Sequence, residues 1–140
     1  MTITSVRPAR FELLRAPVAV GMAGLAALVL LRVRDPHESG SYGYCPFLLL
    51  TGRPCPGCGG LRAGNDLAHG DIVAAVSSNL LAVATAVTLG VLWVGWVVRR
   101  WRGSPGGMVQ VTERMGWAVI AVLVVFGIVR NTPWGSWLAP

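Results

Sequence analysis

From Ile72 to Val98 the chain runs 27 residues without a charged side chain. As a helix that stretch would rise about 40 Å, more than the roughly 30 Å of a bilayer's hydrocarbon core. Two shorter uncharged runs accompany it, Ala16–Leu31 with 16 residues and Met115–Val129 with 15. A crossing takes about 20 residues, with a lower limit near 17. Leu13 and Leu14 extend the first run past a snorkelling Arg15, and Arg114 and Arg130 bracket the third. Composition agrees: 54% of the 140 residues are hydrophobic and 13% are charged, where a soluble domain carries about 25%. An ordinary soluble enzyme and a disordered chain are both excluded. No Walker, Rossmann or HExxH pattern is present. The expectation is an all-α membrane protein, one membrane domain over residues 1–140. Its three transmembrane helices would lie at about 14–32, 72–98 and 114–130. A cysteine-containing loop, 33–71, with a short interfacial helix joins spans one and two. Pro17 fits the first turn of span one, and Asp71 is a good N-cap for span two.

The formal charge is +6, and all twelve basic residues are Arg. They sit at the margins of the apolar runs, as topology signals do, so a nucleic-acid partner is not expected. Arg7, Arg10, Arg15, Arg99, Arg100, Arg102 and Arg114 fall on one side of a three-span chain. Arg32, Arg34, Arg53, Arg62 and Arg130 fall on the other. Seven against five places the N-terminus in the cytoplasm of a bacterium, with the cysteine loop and the C-terminus outside the plasma membrane. Arg32-Val33-Arg34 makes a poor exit from a signal peptide, so the first run reads as a retained anchor.

Every Cys, every His and both Tyr lie between spans one and two. Cys45, Cys55 and Cys58 are spaced C-x9-C-x2-C, and Pro56-Gly57 forces a tight turn inside the close pair. Leu61–His69 reads as a short helix ended by Gly70. Three readings of the thiols stand open. A structural disulfide, or buried thiols pinning the loop, suits an outside location. A redox-active CxxC would use the thiol just before a helix start. A metal site would add His69 or His37 to the three Cys, although only one close ligand pair is visible. The structural reading is the expectation, with no cofactor, no metal and no catalytic residue assigned.

His37 reads as a solvated loop residue, and Asp66 is placed to pair with Arg62 at i, i+4. No ionisable residue interrupts any span, which argues against a pump or transporter. Ala19, Ala23 and Ala27 form one small-residue stripe, and Ala82, Ala86 and Gly90 another.

The string CPFLLLTGRPCPGCGGLRA, then HGD, Asn79 and a terminal RNTPWGSWLAP, resembles a family of small bacterial membrane proteins of unknown function. The likeness runs from Cys45 to Pro140. Leu61 stands where many members carry Thr, and Leu80 where Pro is common. Members look similar to accessory subunits of the actinobacterial cytochrome bcc–aa3 respiratory supercomplex. The resemblance implies a non-catalytic accessory or assembly subunit of a larger membrane complex. Trp134, Trp137, Pro54, Pro56 and Gly57 would form its partner interface, with the bilayer as the other partner. The alternative is a small thiol–disulfide or metal-handling membrane protein using the CxxC loop.

Overall fold

A computed structural model of the protein describes residues 10–38 and 40–138. The described residues form five α-helices and no strand. They are α1 (Arg10–Val33), α2 (Pro46–Thr51), α3 (Gly60–His69), α4 (Ile72–Trp101) and α5 (Glu113–Val129), followed by a 3₁₀ turn at Ser136–Leu138. Two of them, Phe11–Val33 and Ile72–Trp101, are long and apolar enough to cross a membrane. At 17 residues, α5 is shorter than both.

The helix α1 begins ahead of the expected boundary, so Pro17 lies inside it and not in its first turn. The Pro17 carbonyl accepts the indole N–H of Trp93, near the far end of α4, at 2.9 Å. At the opposite end, Asn65 of α3 donates to the Leu31 carbonyl at 2.7 Å, and the Arg32 guanidinium donates to the Ala68 carbonyl. The two long helices are therefore antiparallel, and α3 fills the angle where α1 ends and α4 begins. A small core of Ala63, Ala75 and Val83, flanked by Leu67, Val76 and Ala82, fuses α3 to α4.

The close approach of α1 to α4 does not use the alanine stripe. Ala19, Ala23 and Ala27 are exposed. Gly21 carries the contact: a Cβ there would stand 2.7 Å from the Trp93 ring. Ala82 and Ala86 line a groove between α4 and α5.

The short helix is present where Leu61–His69 suggested it, closed by Gly70 at φ 82°. Its buried face is largely polar, comprising Ala63, Asn65 and Asp66. Asp66 does not pair with Arg62, which is exposed. It accepts from the Ser78 hydroxyl of α4 at 2.7 Å and lies 3.4 Å from Nε2 of His37. The other ring nitrogen of His37 meets Asp35 at 2.8 Å, so this exposed loop histidine also links the end of α1 to α3.

Asp71 caps α4 through Ala74 as expected. Within α4 the backbone breaks at Asn79, where φ is −168° and ψ is 100°. The Asn79 side-chain oxygen accepts the Ala82 N–H at 2.9 Å, which caps the longer, C-terminal part of the helix. Leu80 then occupies the first helical position, where Pro is tolerated because its missing N–H has no helical partner to lose.

Gly21 and Gly24 give opposite expectations on one helix. A Cβ at Gly24 meets nothing within 4 Å. Gly24→Ala should therefore raise helix stability by about 1 kcal/mol. Gly21→Ala must displace an indole held by Pro17 and should lower stability by about 1–3 kcal/mol. Unfolding curves of both variants in detergent would check the sign of each change.

Candidate functional site

The loop between α1 and α3 folds so that the third cysteine joins the close pair. Cys45 directly precedes α2, which starts at Pro46, a residue suited to a first turn. Six residues later Gly52 ends α2 in the left-handed conformation at φ 68° and turns the chain back. Cys55 and Cys58 flank a tight turn closed by the Cys58 N–H on the Cys55 carbonyl at 3.1 Å. The sulfurs of Cys55 and Cys58 lie 3.2 Å apart, and those of Cys45 and Cys55 3.5 Å apart. All three fall within 4.8 Å of one another, and all three thiols are free.

The turn is held from below by three polar side chains. Asn79 Nδ2 donates to the carbonyls of Pro56 and Cys58 at 3.0 and 2.9 Å. Arg130 Nη1 donates to the Cys55 carbonyl at 2.8 Å and the Cys58 carbonyl at 3.1 Å, with Pro56 at 3.4 Å. Asn131 Nδ2 donates to the Pro54 carbonyl at 3.0 Å and to the Gly127 carbonyl at 2.8 Å. Asn79 and Arg130 are each 1% exposed. Arg130, at the end of α5, is thus no snorkelling arginine. Its Nε and Nη2 are buried without a hydrogen-bond partner, and its guanidinium lies 5.2 Å from the centre of the Phe126 ring. No carboxylate pairs with it among the described residues.

The thiols differ electrostatically. The Leu48 backbone amide, and then the Cys55 thiol, hold Cys45 below the ordinary thiol range. Burial, and then hydrogen bonds with Cys55 and Cys45, push Cys58 up to about 12. A cavity of about 470 Å³ on the loop side reaches Cys45 and Cys58 past Tyr42, Tyr44, Glu38 and Arg62. Leu61 also lines it. A second, apolar groove of about 590 Å³ runs between α4 and α5 and ends on Pro56, Gly57 and Asn79.

The other residues singled out in the sequence are placed as follows. Pro54 and Pro56 are half-buried, their carbonyls engaged by the clasp, and Gly57 is exposed. Trp134 is 92% exposed and Trp137 64%, just beyond the Arg130–Asn131 clasp. His69 turns back to the Asn65 carbonyl at 2.9 Å, and His37 is held by Asp35 and Asp66, so neither joins the sulfurs. The roles of Asn79, Arg130 and Asn131 in gripping the turn were not apparent from sequence. The one signal was a lone Asn in a long apolar stretch.

Residues 45–93 match the model of a family described as Protein of unknown function (DUF2752). The chain is similar to that family over about a third of its length. The matched segment holds all three cysteines, α2, α3, Asn79 and most of α4, and stops before Arg130. No curated protein and no solved structure matches the chain.

The thiol chemistry gives a pH test. Cys45 should react with iodoacetamide at lower pH than Cys58, which should still gain reactivity toward pH 12. Peptide mass spectrometry after brief alkylation would read the order. The raised Cys58 value also means that its neutral thiol favours the fold below its ordinary titration near pH 9. That contribution is lost as pH climbs through the folded value.

Proposed function

We propose that this chain is a small plasma-membrane protein of three crossings whose cysteine loop handles a thiophilic metal ion. The observation that carries the reading is the convergence of three free thiols from residues ten and three apart onto one point. The sequence offered only one close ligand pair, and the turn after α2 supplies the third donor. Thiol–disulfide exchange is the weaker alternative, because exchange needs only two thiols and leaves the gathering of the third beside them unused. A metal replaces the proton on each sulfur and uses all three. The fifth helix, α5, meets the lower limit of about 17 residues for a crossing. Taken as the third crossing, it returns Arg130 to the side of the loop. The arginine distribution then puts the loop outside and the N-terminus in the cytoplasm.

The test is Co(II) added to the reduced full chain in detergent. A sulfur-to-cobalt charge-transfer band should appear at one equivalent and vanish in Cys45→Ser, Cys55→Ser and Cys58→Ser. A wild-type protein that stays colourless with Co(II) and also fails to bind Cu(I) would refute metal handling.

An accessory role in a larger membrane complex, such as the respiratory supercomplex suggested by the sequence motifs, is a second reading compatible with the first. It is favoured by α5, which buries none of its residues against the rest of the chain, and by two exposed tryptophans beside the loop. Exposed tryptophan suits either a headgroup belt or an interface core. Truncation after Asn131 keeps the clasp and removes both rings. Purification in mild detergent should then recover the chain without the large complex that accompanies the intact protein, whereas retention of that complex would assign the tryptophans to the bilayer.

A further inference from the structure

We propose that the metal is Cu(I), held in a three-coordinate site by Cys45, Cys55 and Cys58, with the buried Arg130 as the cationic partner of the thiolates. This rests on the metal-handling reading and specifies its ligand. Metal–sulfur bonds of about 2.3 Å place the corners of a planar trithiolate about 4 Å apart. The free sulfurs, at 3.2 and 3.5 Å for two pairs and within 4.8 Å for all, need shifts of under an ångström to reach that triangle. Structural zinc is almost always four-coordinate. Among the described residues no fourth donor joins the group, and both histidines are engaged elsewhere. Three soft donors with no fourth suit Cu(I).

Charge gives the second, independent observation. A guanidinium 1% exposed, with two nitrogens lacking any partner and no carboxylate beside it, is costly to bury. Its Nη1 is fixed on the carbonyls of Cys55 and Cys58, the residues that carry two of the three sulfurs. When Cu(I) binds, each thiol releases its proton to water as its sulfur–copper bond forms. Copper keeps its oxidation state, and the trithiolate centre carries two negative charges. Arg130 offsets one of them. The N-terminus of α3, which starts two residues after Cys58, contributes further positive potential. The 470 Å³ cavity that reaches Cys45 and Cys58, with Glu38 and Arg62 in its lining, gives the ion a route to the site.

The experiment is anaerobic titration of the reduced full chain with Cu(I) buffered by excess bicinchoninate, followed by X-ray absorption of the loaded protein. One equivalent should bind, with three sulfur neighbours and no lighter ligand. Arg130→Met should lower Cu(I) affinity about 10–100-fold, the usual effect of losing a partner of the ligands. Arg130→Lys, which keeps the charge but not the multiple grip on the carbonyls, should recover most of that loss. Two-sulfur linear coordination, with Cys45→Ser binding as tightly as wild type, would overturn the three-coordinate site while leaving metal handling intact. Equal affinity losses in Arg130→Lys and Arg130→Met would overturn the charge role. A wild-type chain that forms a Co(II)–thiolate band but does not compete for Cu(I) would reject copper, whereas absence of both signals would reject the reading beneath it.

Discussion

A single guanidinium organises the cysteine loop. Backbone carbonyls of a tight turn have few ways to be satisfied away from water, and an unsatisfied buried acceptor costs about 1–3 kcal/mol. Arg130 collects those of Cys55 and Cys58 on one nitrogen, while Asn79 and Asn131 take Pro56, Cys58 and Pro54. With its carbonyls drawn toward these side chains, the turn is left with its sulfurs facing one another and with the Cys55 N–H on the Cys58 sulfur at 3.3 Å. Placement of the thiols is therefore a consequence of how the carbonyls are held, and remote helix ends are what hold them.

Asn79 joins helix architecture to site geometry. Its oxygen caps one part of α4 and its nitrogen grips the turn, so one side chain satisfies a helix terminus and a loop together. That double use requires a non-helical backbone at this residue, and α4 is broken there. The segment ahead of the break packs with α3 through Ala63 and Ala75, and the segment after it is long enough to continue into the bilayer. A leucine or alanine at 79 could neither cap nor grip.

The three long helices were legible because uninterrupted apolar runs are read directly from the order of residues, whereas α2 was not anticipated. The short helix, its Gly70 end and the Asp71 cap were legible because caps are local in sequence. The contacts that place those helices were not. Gly21 against Trp93, Asp66 against Ser78 and His37, and Arg130 against Cys55 join residues whose spacing carries no periodic signal. Arg130 was the most misleading, since an arginine at the end of an apolar run ordinarily reaches for water. The cysteine spacing likewise displayed one close pair, because the return of the chain after Gly52 is a property of the backbone and not of the count between cysteines.

The side chain that secures the turn is 72 residues downstream of Cys58, at the end of the last long helix. A chain made from its N-terminus therefore delivers all three thiols well before the arginine that fixes their backbone. During synthesis the thiols are gathered by local turns and Asn79 alone, and they acquire their final geometry only when α5 is complete. A nascent chain that has not yet reached Arg130 would thus carry thiols whose backbone is not yet fixed, and the arrival of Arg130 is the event that sets their geometry.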